Sequence, residues 1–306
     1  MPQNQLTWKA ALAEFKAYLQ LERSLAKNSV DAYMRDIEKL KLFVIQSELN
    51  LLPQTLEQKH CELFLQTLGE AGIGIRSQAR ILSGIKAFYK FLVLEEWMKG
   101  NPVKHLESPK IGHTVPTVLS IGEINQIIGA IDLSKSGGER NKAIIEVLYG
   151  CGLRASELTS LKISNLYLES GFVRVIGKSN RERLVPINQS AAKQVLIYKD
   201  YIRVHQTIQP KMEDFLFLNQ RGRYLSRVSI FNIVKAAAKK AGIQKVVSPH
   251  TFRHTFATHL YEGGADLRAI QEMLGHESIT TTEIYSKIDQ SYLRNTLIQY
   301  HPRFGG

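Results

Sequence analysis

Six side chains in the second half of the chain are of types that could act on an anion. They are Arg154 in GLRASEL, Lys178 in IGKSNRERLVP, His250 and Arg253 in SPHTFRHTFATHL, and His276 and Tyr285 in MLGHESITTTEIYS. A guanidinium stays protonated and binds two oxygens in a fixed fork, so Arg154 and Arg253 are candidate anion clamps. Arg154 lies between Gly152 and Ser156-Glu157, at a predicted helix start where backbone N–H groups also favour anions. His250 and Arg253 are three residues apart on one predicted helix and so share a side. Each residue taken alone has an ordinary reading: Arg154 as the ion-pair partner of Glu157, His250 as a structural histidine, Tyr285 as packing. His250 and His254 have the spacing of a helical zinc motif, but Thr251 stands where that motif has its glutamate, and no acidic third ligand lies nearby in sequence. No metal site is expected.

These residues need a scaffold, and the pattern of the chain predicts one. Residues 8–22, 28–43 and 75–97 carry apolar residues at helical spacing. In the last of these Ile81, Leu82, Ile85, Phe88, Tyr89 and Leu92 form one stripe at about 100° per residue. Arg76, Arg80, Lys86 and Lys90 fall on the other side, either as a solvated charged face or as contacts to an anionic partner. Asn28 with Asp31 and Thr55 with Gln58 have the spacing of helix caps, as does Ser120 with Glu123. Residues 107–116 (ESPKIGHTVP) break the periodicity and read as a linker between domains at 1–106 and 117–306. Phe172–Ile176 and Arg183–Ile187 are β-type runs flanking a turn near Ser179-Asn180. Ser248-Pro249 is a strong helix start, Gly263-Gly264 and Gly275 are helix ends, and Ser278 can cap the segment that holds Tyr285. The predicted fold class is mainly α with a small antiparallel β-sheet, in two domains.

Composition narrows the function. Lys and Arg total 40 against 28 Asp and Glu, a formal charge of +12, and that excess favours a polyanionic partner, nucleic acid first. No apolar run approaches the ~20 residues that cross a bilayer. The opening MPQNQLTWKAALAEF lacks the pattern of a secretory leader, and two distant cysteines, Cys61 and Cys151, make no disulfide framework. A cytoplasmic, nucleoid-associated protein is expected. There is no phosphate-binding Walker loop and no acidic cluster for magnesium, so no cofactor is expected.

The order Arg, Lys, His-x-x-Arg, His, Tyr resembles the catalytic signature of the tyrosine recombinases, and all six positions hold the expected residue type. The wording around them, and the closing His301 to Arg303, resemble the bacterial Xer recombinases (the XerC/XerD group), with the gapless second half nearer the XerD subgroup. The resemblance implies a helical, SAM-like core-binding domain and an α/β catalytic domain that together form a C-shaped clamp on double-stranded DNA. It makes Tyr285 a nucleophile giving a 3′-phosphotyrosine and a free 5′-hydroxyl. A phenol is ~99.9% protonated at neutral pH if its pKa is near 10, so it would need positive surroundings and a proton acceptor. Lys178 becomes the general acid for the departing 5′-oxygen, with Arg181 and Arg183 as nearby decoys. Arg154 and Arg253 would stabilise charge on the phosphoryl oxygens, and His250 and His276 would bind the phosphate or move the tyrosine proton.

The same resemblance gives Arg76, Arg80, Lys86, Lys90 and Arg181 the role of DNA contacts. It also implies four protomers on two dif-type sites, alone or with a second Xer recombinase. A translocase of the FtsK type would be the activator, and the resolution of chromosome dimers at cell division the outcome. The amphipathic tail, Ser291 to His301, would dock on a neighbouring protomer; the alternative is its own domain. With the first predicted helix beginning almost at once, no extra arm-binding domain is expected, which argues against a larger phage integrase. A two-domain mobile-element integrase and a type IB topoisomerase-like enzyme use the same chemistry and remain alternatives, as does a DNA-binding protein that keeps the fold without catalysis.

Overall fold

The computed structural model describes residues 6–109, 117–177, 181–275 and 290–303. The chain divides into two compact units, Met1–Thr114 and Val115–Gly306. Most of the predicted linker, residues 110–116, lies outside the described residues.

The first unit contains α1 (Trp8–Leu21), α2 (Lys27–Gln46), α3 (Gln58–Glu70) and α4 (Ile75–Leu94). Thr7 caps α1 by accepting from the Ala10 N–H, and the helix buries Ala11, Leu12, Phe15 and Leu19 at helical spacing. The predicted stripe of α4 is entirely buried. It meets α1 through Phe15, whose ring lies edge-on to Phe88 at 5.2 Å. Each such side chain contributes about 1.5–3 kcal/mol on burial. α4 ends three residues earlier than predicted. Glu96 takes a left-handed φ of 59°, and the Trp97 N–H returns to the Leu92 carbonyl at 2.9 Å, closing the helix.

Two predicted caps do not form. α2 begins at Lys27 with Ala26 as the extended flanking residue, so Asn28 is already inside the helix and its side chain caps nothing. Pro53 starts a short 3₁₀ turn in which Thr55 bonds Leu52, and the α3 N-cap is therefore Glu57.

The second unit is built around α6 (Gly138–Cys151), buried continuously from Ala143 to Cys151, which makes it the central helix. Before it comes α5 (Ile121–Gly129), with the predicted Ser120–Glu123 cap formed in both directions at 2.7 and 3.1 Å. After it come α7 (Ala155–Thr159) and an antiparallel sheet in the order β1 (Leu166–Tyr167), β2 (Phe172–Ile176), β3 (Glu182–Pro186). The pairing of Val175 with Arg183 sets the β2–β3 register, and β1 is a short strand that the sequence did not signal. α8 (Gln189–Ile197) and α9 (Arg227–Lys240) follow, and then the elements nearest the candidate site, α10 (Pro249–Gly263) and α11 (Leu267–Leu274). Ser248 caps α10 by accepting from the Thr251 N–H, with proline at the first helical position, as expected.

The final helix is α12 (Gln290–Tyr300), in the tail that could dock on a neighbouring protomer or on its own domain. It packs on the chain's own second unit. Leu293 and Leu297 are buried in one cluster with Phe256, Leu260 and Met273. The ring of His301 lies 4.8 Å from that of Tyr149 and 5.5 Å from that of Phe256, and Arg303 pairs in a fork with the buried Glu146 at 2.8 and 3.0 Å. Burial pushes the His301 imidazole down to about 3, so it packs as a neutral ring.

Gly152, between α6 and Arg154, has a left-handed φ of 60°, and a Cβ there would lie 2.5 Å from the Phe256 ring. Both the backbone and the close approach of α10 require glycine. Gly152→Ala is therefore expected to cost more than about 2 kcal/mol of stability, measured as a shift of the urea midpoint at unchanged slope; a shift equivalent to under about 0.5 kcal/mol would contradict this packing.

Candidate active site

Three elements of the second unit, α7, β3 and α10, meet at one buried carboxylate. Glu157, on α7, is 3% exposed at its side chain. Arg183 of β3 grips it in a fork, Nη1 to Oε1 at 2.9 Å and Nη2 to Oε2 at 3.0 Å. Arg154 approaches the same group twice, through Nη1 to Oε1 at 2.9 Å and through its backbone N–H to Oε2 at 2.8 Å. Arg253 of α10 stands 4.0 Å from Oε2.

The three guanidiniums also cap the C-terminal end of α11. Arg183 Nε donates to the Met273 carbonyl at 3.0 Å. Arg253 Nη2 donates to the Leu274 carbonyl at 2.6 Å, and Arg154 donates to Leu274 at 3.4 Å and to Gly275 at 3.2 Å. These are the carbonyls that a helix leaves without intrahelical partners, at its negative end, and cations suit them. Arg253 Nη1 reaches the Gly152 carbonyl at 2.8 Å as well. The cluster thus ties α7, β3, α10 and the end of α11 together.

Charge state follows from these contacts. Burial raises the Glu157 carboxyl, but the hydrogen bonds and charge of Arg183, followed by those of Arg154, outweigh it and hold the group below the usual carboxylate range. Burial, reinforced by Arg154 and Arg183 and opposed by Glu157, pushes Arg253 down to about 10, so it stays cationic at neutral pH. Three arginines against one carboxylate leave a surplus of positive charge. Arg154 is its accessible part, with 36% of its side chain exposed against 9% for Arg253 and 14% for Arg183. Pre-oriented cations of this kind bind an anion such as a phosphodiester without having to reorganise.

The predicted residues fare unevenly. Arg154 and Arg253, 99 positions apart in sequence, meet on one acceptor, the Leu274 carbonyl. His250 is exposed on the first turn of α10 and makes no bond to the cluster. Lys178, His276 and Tyr285 lie outside the described residues. The ends of the Lys178 turn are held together by the Gly177 N–H on the Arg181 carbonyl at 2.7 Å. Arg154 is the N-cap of α7, as the predicted helix start implies, and its own backbone N–H is taken up by Glu157. The ordinary reading of Arg154, a pair with Glu157, is realised alongside its place in the cluster. Arg183, read from sequence as a decoy, is central. Its signal was the period-two alternation through Arg183, Val185 and Ile187, which turns all three to the inner face.

In the first unit, Arg76 and Lys90 are exposed and Lys86 is half-buried on α4. Arg80 corrects the picture of a simple solvated cationic face. Its fork holds Asp36 of α2 at 2.6 and 2.8 Å, and Asp36 is 2% exposed. Burial pushes the Asp36 carboxyl up despite that pairing. Among the described residues no three His, Cys, Asp or Glu side chains are grouped to hold a metal, and no helix is long and apolar enough to cross a membrane.

A four-helix unit followed by a mainly helical unit with one small antiparallel sheet, and an arginine cluster set where that sheet meets the last helices, defines an integrase-type strand-transfer fold. The chain belongs to the phage integrase family of site-specific tyrosine recombinases: residues 117–291 match the family described as phage integrase, and residues 12–96 match the phage integrase N-terminal SAM-like domain. It is 41% identical to tyrosine recombinase XerD of Chlorobaculum tepidum over 99% of this chain and 100% of that one. It is 37% identical to tyrosine recombinase XerD of Staphylococcus aureus over 95% and 98%. Among solved structures, the XerH site-specific recombinase bound to difH substrate aligns with a TM-score of 0.66 over 87% of this chain and 79% of that one, at 21% identity, a likeness of fold.

Removing Glu157's charge strands the arginines that it neutralises. Glu157→Gln is expected to cost about 3–5 kcal/mol, read by urea denaturation at pH 7. Because the folded carboxyl titrates below its unfolded value, this stabilisation is full above about pH 4.5 and is lost as pH falls through the folded value. The gap between wild type and variant should therefore narrow in acid; a gap independent of pH would contradict the pairing.

Proposed function

We propose that this enzyme cuts and rejoins double-stranded DNA through Tyr285, at dif-type sites, to resolve chromosome dimers in the cytoplasm of dividing cells. The observation that carries the site assignment is the convergence of Arg154 and Arg253 on one carbonyl, with surplus positive charge facing solvent at Arg154. In this reading the scissile phosphate takes the place of weak acceptors. Arg154's bonds to Leu274 and Gly275 are the longest in the cluster and the easiest to exchange for phosphoryl oxygens. Negative charge that builds on those oxygens during attack meets donors already in position.

The Tyr285 oxygen attacks the phosphorus, the P–O5′ bond breaks, and a 3′-phosphotyrosine forms. Lys178 gives its proton to the departing 5′-oxygen, and His250 and His276 bind the phosphate or take the phenolic proton. The energy of the broken bond is kept in the phosphotyrosine, so rejoining needs neither ATP nor a metal. Arg76, Lys86, Lys90 and Arg181 contact the DNA backbone or grooves, with Arg80 held by Asp36 beside them. Four protomers act on two sites, with or without a second Xer-type subunit, under a translocase of the FtsK type. Similarity to the XerD relatives over nearly the full chain supports this role.

The test is a nicked duplex carrying a dif-type site, incubated with wild type and Tyr285→Phe in EDTA without ATP. A covalent protein–DNA band for wild type alone is expected; a band with Tyr285→Phe would displace the nucleophile, and a requirement for added metal would refute the mechanism. On the same DNA, Arg154→Ala should slow cleavage by about 10²–10³ while the footprint persists; binding lost in step with cleavage would make Arg154 a DNA contact only.

A further inference from the structure

We propose that Arg183 is a positioning residue of this site. It neutralises Glu157 and fixes the end of α11, and so leaves Arg154 and Arg253 less drawn to that carboxylate and aimed at the phosphate. The inference rests on the reading of the site given above and deepens it.

Arg183 makes three hydrogen bonds of 2.9–3.0 Å, two to Glu157 and one to Met273, with only 14% of its side chain exposed. All three are internal, so its fork is occupied by the protein itself. Its contacts make it the principal partner of Glu157, ahead of Arg154. Without Arg183, a buried carboxylate would face Arg154 and Arg253 alone. It would draw their forks inward and cancel half of their combined charge, leaving less for a ligand.

The second contact acts on the backbone. Met273 precedes Leu274, the acceptor shared by Arg154 and Arg253, and holding one carbonyl fixes the next. Gly275 fits the same arrangement: its φ is +64°, and a Cβ there would lie 3.1 Å from Arg183 Cδ, Cζ and Nε. Arg183 therefore lies directly against the residue that precedes His276. One side chain on β3 links the Glu157 cluster, the cap of α11 and the start of the segment that leads to His276 and Tyr285.

The test uses the full chain on the nicked dif-type duplex at saturating protein. It reads the first-order rate of adduct formation, the Kd from footprinting, and the melting midpoint. Arg183→Gln is expected to slow adduct formation about 100-fold through misplacement of the reacting groups, with Kd within about threefold because no DNA contact is removed. Arg183→Lys keeps the charge but not the fork and should fall between Arg183→Gln and wild type, folding even if the glutamine variant does not. The decisive variant is Arg183→Gln with Glu157→Gln, which removes the stranded carboxylate and should recover about tenfold of the lost rate. A double variant no faster than the single one, a wild-type rate in Arg183→Gln, or a Kd that weakens in step with the rate would overturn the proposal. A wild type that forms no adduct at all would overturn the underlying reading of the site, and this proposal with it; an adduct from wild type with unaffected variants overturns this proposal alone.

Discussion

The geometry of the second unit depends on a carboxylate buried among arginines. An ionised group out of water costs several kcal/mol unless every lone pair is met by a donor. Glu157 meets that condition through a fork from Arg183, a guanidinium and a backbone N–H from Arg154, and the nearby charge of Arg253. The donors come from separate elements, α7, β3 and α10. Their remaining N–H groups reach the last carbonyls of α11, so satisfying one buried charge sets the relative positions of all four. The hydrophobic core brings these elements close, through Phe252 and Phe256 of α10 and the continuously buried second half of α6. The ion cluster then selects one register among the packings that a core of this kind would allow.

The first unit uses a similar device on a smaller scale. Asp36 is buried beside Arg80, and the approach of α4 to α2 is close enough that a Cβ on Gly84 would sit 2.9 Å from the Asp36 carboxylate. A cation on an exposed helix face is usually a long, freely rotating chain. Arg80 instead has its fork end fixed by a partner 44 residues away in sequence, which lowers its side-chain entropy in the folded chain. The lysines on the same helix, Lys86 and Lys90, have no such tether in the hydrogen-bond network of the described residues and act as diffuse charge.

Features specified by neighbouring residues were legible in the sequence. The cap at Ser120 with Glu123, the start at Ser248-Pro249, the stop at Gly275 and the apolar stripe of α4 depend on spacings of a few positions, and all are present. Two other spacings of the same kind failed. Ala26 ends the extended segment two residues too soon for Asn28, and Pro53 diverts Thr55 into its own turn. Long-range pairings were out of reach: Arg183 to Glu157 spans 26 positions, Arg80 to Asp36 spans 44, and Arg303 to Glu146 spans 157. The last of these joins the residues that follow α12 to the central helix α6. The candidate residues themselves were legible through resemblance. The charge network that orients Arg154 and Arg253 was not, because pairwise contacts leave no periodic trace.

The most direct measurement is a structure of the Tyr285→Phe variant bound to an intact dif-type duplex. The expected result is a scissile phosphate within hydrogen-bond distance of both Arg154 and Arg253, with Arg183 still forked on Glu157 and Arg154 released from the Leu274 and Gly275 carbonyls. A phosphate held by other side chains, with both arginines still committed to those carbonyls, would contradict the assignment of this cluster as the site of strand exchange.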